Sequence, residues 1–244
     1  MADWFLQRCL HFNRGEIILS PELNNVFMAA LAIIYVFAVV AIMDFAVKKG
    51  FPQHLSRKVI HIAAGSWLIF WFLFDHSHWT KYLNIAPAFI WTVLLLIKGF
   101  SARPDDEAVK TMTRTGDRKE LLRGPLYFTI IMNLMGTFFF YTPFAITSMG
   151  LLGWGDGLAP VFGQKFGKHP FKILAEKTIE GSLAFLIFGF FGASLFHFIL
   201  LGTIPFTTIL YCTLVSTIIE AVSPRDLDNI LIPVACGAVY LILQ

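Results

Sequence analysis

The chain has 244 residues, of which 57% are hydrophobic and only 14% are charged, and its formal net charge is +3. A soluble domain usually carries about 25% charged residues. This composition and a mean hydropathy of +0.69 exclude an ordinary soluble domain and indicate a membrane protein. The small net charge argues against nucleic acid as a partner. The widely separated Cys9, Cys212 and Cys236 indicate packing residues, not a disulfide framework or a zinc site.

Apolar segments follow one another along the whole chain, and a helix needs roughly 20 apolar residues to cross a bilayer. The predicted spans are 24–46, 59–75, 82–99, 124–141, 143–162, 180–200, 203–223 and 227–243. They predict one all-α domain over 1–244, a polytopic integral membrane protein with about eight transmembrane helices. Pro143 breaks the long apolar block between the fourth and fifth spans, because proline cannot continue a helix. Seven spans result if this block is one helix.

The segment 1–23 precedes the first span and is predicted to be an N-terminal interfacial segment. Trp4, Phe5 and Phe12 would lie at the membrane surface if it forms a short helix, and a loosely ordered tail is the alternative.

The basic residues test this topology. Most of the 19 lysines and arginines fall in four alternate connections of the eight-span arrangement, which include a connector at 100–123 and a loop at 163–179. The positive-inside rule therefore places these connections in the cytoplasm and both termini outside. The seven-span alternative puts basic loops on both faces, so it is the weaker arrangement.

Acidic residues gather at the cytoplasmic ends of the predicted helices. Asp156 ends the fifth span, Glu180 begins the sixth and Glu220 ends the seventh. A charged carboxylate at membrane depth costs several kcal/mol unless it is paired, metal-bound or beside water. These acids therefore predict a functional site on the cytoplasmic face. The alternative is structural pairing with basic residues such as Arg57 and Lys58.

The segment "LLGWGDGLAPVFGQKFGKHPFK" at 151–172 has the residues of a polyphosphate site. Its glycines let the backbone approach a ligand and adopt positive φ, which exposes N–H groups to anions. These glycines are Gly155, Gly157, Gly163 and Gly167, and the neighbouring lysines are Lys165, Lys168 and Lys172. A helix that begins near Thr178 adds positive partial charge. The spacing is not that of a Walker loop, and glycines that only pack helices are the alternative.

Magnesium prefers one or two carboxylates together with phosphates and water, so Asp156 and Glu180 are predicted to hold Mg²⁺. His61 lies one helical turn from Arg57 and Lys58 and is a candidate general base toward an alcohol. A packing role for His61 is the alternative.

Five blocks together resemble the polyprenol kinase family, which includes phytol and farnesol kinases, dolichol kinase and CTP-dependent diacylglycerol kinases. They are "RKVIHIAAG", "LLRGPLYF", "GDGLAPVFGQKFGK", "EKTIEGS" and "EAVSPRDLDNILIP", spread over residues 57–233. The resemblance implies an integral membrane enzyme that moves the γ-phosphoryl group of a nucleotide, often CTP, to a lipid alcohol with a divalent metal. The short chain is most similar to small phytol kinases, which implies an isoprenoid alcohol such as phytol, geranylgeraniol, farnesol or a polyprenol.

The resemblance also implies roles for particular residues. Arg57 and Lys58 would stabilise developing charge, and His61 or one of the acids would take the hydroxyl proton. The phosphates would contact Lys165, Lys168 and Lys177, and a second metal or the nucleotide sugar would contact Asp228 and Asn229. The remaining motif residues assigned to the nucleotide or metal are Thr178, Ser182 and Glu220.

Alternatives stay open at this point. ATP or UTP could replace CTP, and diacylglycerol could replace the isoprenoid. A cytidylyltransferase that makes a CDP-lipid is another possible enzyme, and a small membrane transporter is the alternative without catalysis. The oligomeric state is open, and a homodimer is one of the states that the sequence allows.

Overall fold

The computed structural model describes residues 19–103 and 105–243. The predicted interfacial segment therefore lies almost wholly outside the described residues. Within the described part of the chain the fold is all-α, and the only strands are β1 (Pro170–Lys172) and β2 (Glu176–Thr178) of one antiparallel hairpin.

The α-helices in chain order are α1 (Pro21–Lys48), α2 (Gln53–Gly65), α3 (Ala86–Ser101), α4 (Glu107–Met112), α5 (Gly124–Phe138), α6 (Pro143–Gly150), α7 (Gly157–Phe166), α8 (Ile179–Leu201), α9 (Phe206–Val222) and α10 (Asp228–Leu243). Short 3₁₀ helices cover Ser66–Leu73, Trp79–Ile85 and Arg118–Leu122, and a π-helical turn covers Leu151–Asp156.

Each predicted span falls on a helical segment, although three segments are not uniform. The span 143–162 comprises α6, the π-helical turn and the start of α7. The predicted span 59–75 changes at Gly65 from α2 to a 3₁₀ helix, and a 3₁₀ helix precedes α3. The predicted break at Pro143 is confirmed, since α5 ends at Phe138 and Thr142 caps the new helix α6. The backbone of Tyr141 between them has φ 61°, a value of the left-handed region that does not occur within a right-handed α-helix.

Among the described helical segments, 3 are long and apolar enough to cross a membrane: Pro21–Lys48, Trp79–Ser101 and Ile179–Leu201. Two further apolar helices, Phe206–Val222 and Asp228–Leu243, are shorter. Many large apolar side chains point outward from these helices, such as Phe27 and Phe89, as expected where lipid replaces water as the solvent. The length, the apolar composition and the outward-facing side chains of these helices therefore indicate a membrane protein.

The π-helical turn joins α6 to α7 in one unbroken helical run and packs against both α2 and α8. A Cβ on Gly65 would lie 2.8 Å from the Cα of Gly153, and a Cβ on Gly150 would lie 2.5 Å from the Cα of Ala193. Glycines allow such close approach of helices. This packing brings Asp156, the last residue of the turn, next to α2.

Aromatic residues fill much of the interior of the protein. Trp67, Trp71, Phe185 and Phe196 are fully buried in one large cluster. A smaller cluster lies beneath the segment 100–123 and includes the buried side chains of Val109 and Leu121. This segment is predicted to be a solvated connector. Instead it packs on α2, where Gln53 Nε2 donates a hydrogen bond to the Thr113 carbonyl oxygen (3.0 Å).

The segment 163–179 is more ordered than the loop predicted from sequence. Its first residues belong to α7, which ends at Phe166, and the β1–β2 hairpin follows with Phe171 opposite Lys177. Thr178 then caps α8, since its hydroxyl oxygen accepts a hydrogen bond from the backbone N–H of Gly181 (3.1 Å). The hairpin thus fixes the position of Lys177.

Candidate functional site

A single cavity of about 790 Å³ lies where α2, α5, α7, the hairpin, α9 and α10 meet. This volume falls within the range of about 300–1,000 Å³ that is usual for small-molecule sites. The predicted site residues that line it are Arg57, Lys58, His61, Asp156, Gly163, Lys177, Thr178, Ser182, Glu220, Asp228 and Asn229. The structure thus brings together residues that are up to 172 positions apart in the chain, from Arg57 to Asn229.

Asp156 lines this cavity, and its side chain is only 8% exposed. The Lys58 ammonium is 3.4 Å from Asp156 Oδ2 and donates to the Asp156 backbone carbonyl at 3.0 Å. The His61 Nε2 atom is 3.3 Å from the same Oδ2. The buried carboxylate is therefore charge-paired, as burial of an acid requires.

The neighbours of His61 define which of its ring nitrogens carries hydrogen. Nε2 lies 3.0 Å from the carbonyl oxygen of Leu152 and faces the Asp156 carboxylate. Both are acceptors, so Nε2 must be a donor. The ring also stacks on Phe128, with a centroid distance of 4.1 Å. At this point of the cavity the basic atom is thus the Asp156 carboxylate and not the imidazole Nε2.

A second charged group lies around Lys177. Its ammonium forms an ion pair with Glu220 and lies 3.5 Å from Asp228 Oδ2, while Ser182 Oγ is 3.5 Å from Glu220 Oε2. Burial lowers the pKa of Lys177, but Glu220, Asp228 and Asp156 outweigh it and hold the pKa above its ordinary value. Lys177 therefore carries a stable positive charge.

Three of the arginines that line the cavity have no acidic partner within the described residues, whereas Arg114 pairs with Asp226. The three are Arg57, Arg123 and Arg225. Burial lowers the pKa of Arg57 to about 10, so that its guanidinium stays charged at neutral pH. Arg123 and Arg225 were not predicted as site residues, although Arg123 belongs to the block "LLRGPLYF" and Arg225 to the block "EAVSPRDLDNILIP". Unpaired guanidinium groups in a cavity suit the binding of phosphate.

Several predicted site residues do not line the cavity: Gly155, Gly157, Lys165, Gly167, Lys168 and Glu180. The Lys165 ammonium lies over the Phe166 ring, 5.2 Å from its centroid. Glu180 Oε1 accepts a hydrogen bond from His169 Nδ1 (2.7 Å). The structure therefore does not bring Glu180 into a shared site with Asp156, and the expected Asp156–Glu180 metal pair has no geometric support.

The predicted anion-binding turn is also absent, because the glycines around Asp156 belong to helical segments. Positive-φ glycines in the described residues are Gly50, Gly116 and Gly202, and none of the predicted four is among them. A Cβ on Gly155 would lie 3.0 Å from the Phe185 ring, and one on Gly157 would clash with Ile62. These glycines thus permit helix packing, which was the alternative interpretation from sequence.

The oxygen donors at the cavity fit a magnesium ion of the kind that nucleotides bring with them. No group of three or more His, Cys, Asp or Glu residues in residues 19–103 and 105–243 is arranged to hold a metal alone. Magnesium at nucleotide sites needs only one or two carboxylates besides phosphates and water. Asp228 lines the cavity, and the neighbouring Asn229 Oδ1 is buried without a hydrogen-bond partner. This free oxygen is available to a metal ion.

A helical membrane protein whose acids, lysine and unpaired arginines meet in one cavity has the features of a membrane enzyme that acts on an anionic substrate. Relatives identify its family. The chain is 31% identical over 218 residues to "Probable phytol kinase 1, chloroplastic" of Glycine max, an alignment that covers 83% of this chain and 72% of the relative. It is 33% identical over 203 residues to "Probable phytol kinase, chloroplastic" of Triticum aestivum, covering 78% and 68%.

The "Farnesol kinase, chloroplastic" of Arabidopsis thaliana is 29% identical over 198 residues, which cover 77% of this chain and 64% of the relative. No family model matches the chain, and no solved structure matches it. The chain belongs to the phytol and farnesol kinase family of lipid-alcohol kinases, and it is therefore a phosphotransferase with an alcohol group as acceptor.

Proposed function

We propose that this protein is an isoprenoid-alcohol kinase that transfers the γ-phosphoryl group of a nucleoside triphosphate, CTP, to an alcohol such as phytol in the presence of Mg²⁺. The observation that carries this proposal is the arrangement of the cavity. A buried aspartate stands beside a hydrogen-bonded histidine, and unpaired arginines line the same space. The names of the relatives support an isoprenoid acceptor.

The acceptor alcohol would bind at Asp156. Its oxygen attacks the γ-phosphorus, the bond from that phosphorus to the β–γ bridging oxygen breaks, and the nucleoside diphosphate leaves. The hydroxyl proton goes to the Asp156 carboxylate, since His61 Nε2 already carries hydrogen. Lys58, which donates to the Asp156 carbonyl, holds that residue in place.

The phosphates would bind to Arg57, Arg123 and Arg225, whose charges are not neutralised by acids within the described residues. Alignment and charge neutralisation supply most of the catalysis of phosphoryl transfer. Lys58 and Lys177 add positive charge on the two sides of the cavity.

Asp228 and Asn229 would hold the magnesium ion, with Glu220 close by through its contact with Lys177. When bound, the ion neutralises charge on the phosphate oxygens. The protein's part is to keep hard oxygen donors at this wall of the cavity. Lys177 keeps Glu220 and Asp228 charge-paired in the absence of the ion.

The arrangement in the membrane follows from the sequence and forms part of the proposal. Eight crossings with the basic connections in the cytoplasm put the charged cavity at the cytoplasmic face. The nucleotide then arrives from the cytoplasm, whereas the alcohol arrives from the bilayer. We infer one transmembrane domain with this topology.

The decisive experiment is a transfer assay with purified protein in lipid nanodiscs. CTP, ATP and UTP labelled at the γ-phosphate are each tested against phytol, geranylgeraniol, farnesol, a long polyprenol and diacylglycerol. We expect label in the lipid product with CTP and an isoprenoid alcohol, and none after removal of divalent cations with EDTA.

CTP labelled at the α-phosphate serves as the control. Label from this position in the lipid would identify a cytidylyltransferase and overturn the proposal. Transfer of γ-label to diacylglycerol alone would retain the kinase reaction but overturn the isoprenoid acceptor.

A further inference from the structure

The cavity extends past His61 into an apolar part that the chemistry above does not use. Six side chains on four helices define this part, which we call the apolar arm: Val36, Ile60, Ala64, Ala88, Trp91 and Met132. The arm is continuous with the charged part, and the stacked pair of His61 and Phe128 marks the boundary between them. Ile60, Ala88 and Met132 are buried within the protein.

The direction of the helices gives the depth of the apolar arm. Helix α5 leaves the charged part at Gly124, and its residue Met132 also lines the cavity. Eight helical residues rise by about 12 Å. Helix α2 runs the same way from Arg57 to Ala64. Met132, at the inner end of the arm, therefore lies about two helical turns from Gly124 and about one turn beyond Phe128.

Helix α3 runs antiparallel to α5, so its first residues lie at the inner end. Near its C-terminus, a Cβ on Gly99 would clash with Leu122, which precedes α5. Before its N-terminus, the Asn84 side chain donates to the carbonyl oxygen of Gly136 (2.9 Å), late in α5. Ala88 is thus deeper than Trp91. The Asn84–Gly136 contact lies beyond Ala88, outside the residues that line the cavity.

Side-chain size at the inner end leaves room for a ligand. Ala64 and Ala88 are small, and Met132 between them is unbranched and adaptable. Phe128 is the only phenylalanine that lines the cavity among the described residues, whereas others such as Phe100 and Phe138 are exposed on the outside.

We propose that the apolar arm binds the isoprenoid chain of the acceptor alcohol, with the hydroxyl at Asp156, and that Ala64, Ala88 and Met132 determine the accepted chain length. This inference rests on the proposed kinase function. The occupant is one unbranched or methyl-branched chain, because the arm meets the charged part of the cavity at the stacked His61 and Phe128. Two acyl chains of a glycerolipid would have to pass this boundary together.

The test compares kcat/KM for phytol with kcat/KM for the shorter alcohol geraniol. Leucine at an inner position fills the end of the arm, so Ala88→Leu and Ala64→Leu should lower the phytol-to-geraniol ratio about tenfold or more. Met132→Ala enlarges the arm and should raise this ratio. The control is Val93→Leu on the same helix α3, whose side chain is exposed on the outside, and it should leave the ratio unchanged.

Thermal unfolding and the activity with geraniol show whether each variant is folded. If Ala88→Leu does not fold, Ala64→Leu and Met132→Ala decide the outcome. Folded variants with an unchanged ratio would overturn the chain-length proposal while the kinase function stands. A wild-type protein that phosphorylates no isoprenoid alcohol would instead overturn the proposed function itself.

Discussion

The Lys58 ammonium contacts two parts of Asp156 at once, the backbone carbonyl at 3.0 Å and the carboxylate at 3.4 Å. The Lys58 side chain is 13% exposed and that of Asp156 is 8% exposed, so both charges are largely removed from water. Removal of one charge would therefore leave the other buried without a partner, which lowers stability whatever the residue does in the site. Any test of Asp156 has to separate these two effects.

Asp156→Asn should remove nearly all kinase activity, because the amide cannot take the hydroxyl proton; general-base loss costs about 10²–10⁴-fold in kcat. It also leaves Lys58 buried without its counter-charge, which we expect to cost about 3–5 kcal/mol of stability, less if water enters the cavity. Steady-state kinetics and thermal unfolding measure the two effects.

The double variant Asp156→Asn/Lys58→Met removes both charges and should recover much of the lost stability without recovering activity. Recovery of activity in this variant would show that Asp156 serves only to pair with Lys58.

Glu220 and Asp228 should matter for magnesium, whereas Glu180 should not. Glu220→Gln and Asp228→Asn weaken the oxygen donors at the cavity wall, so the magnesium concentration for half-maximal activity should rise about tenfold in each. Glu180→Gln is the matched control, since its carboxylate is paired with His169 outside the cavity. A magnesium requirement shifted by Glu180→Gln and not by the other variants would contradict the metal assignment.

The arginines should bind the nucleotide more strongly than the neighbouring lysines. Arg57→Gln, Arg123→Gln and Arg225→Gln should each raise the KM for the nucleotide about tenfold, because a hydrogen bond to a charged group is worth about 1.5–3 kcal/mol. Lys165→Gln and Lys168→Gln should leave KM nearly unchanged, since neither residue lines the cavity. Equal effects from both sets would indicate general attraction of the anion by surface charge.

The raised pKa of Lys177 leads us to expect that the stability of the protein depends on pH. The pKa of Lys177 in the folded protein lies above the ordinary value of 10.5. The stabilisation from its charge is therefore fully present below pH 10.5 and is lost as the pH rises through the folded pKa. Lys177→Arg keeps the charge at higher pH, so its unfolding temperature should fall less than that of the wild type in this range. Parallel curves for the two proteins would contradict the assigned pairing with Glu220 and Asp228.

The sequence predicts the positions of the helices well, because the length of each apolar segment indicates a helix and proline indicates where a helix breaks. Pro143 marks a real break, and Lys58, His61 and Asp156 meet as their motif blocks suggest. The Asp156–Glu180 pair illustrates what sequence does not determine. Both acids stand at helix ends on the same predicted level, but level alone does not give the rotation of a side chain about the helix axis. Glu180 points to His169, whereas Glu220 points to Lys177.

The glycines and lysines of the segment 151–172 show a second limit. Their composition suits a phosphate-binding turn, yet α7 continues through Gly163 and its glycines accommodate neighbours such as Ile62. The sequence alone does not distinguish a glycine that permits close helix packing from a glycine whose backbone binds a ligand. Conversely, Arg123 and Arg225 were visible in the quoted blocks, but only the folded chain shows that they form no ion pair with an acid in the part of the chain that the structure describes.

The π-helical turn at Leu151–Asp156 makes this part of the chain sensitive to insertions and deletions. Removal of one residue from this turn would leave enough chain for an ordinary α-helical path from α6 to α7. Each residue of an α-helix advances by about 100° around the axis, so the deletion would swing Asp156 away from Lys58 while the helices on either side kept their lengths. The carboxylate that we propose as the general base thus depends for its direction on the length of this turn, and length variation here would be far less tolerated than in the β1–β2 hairpin.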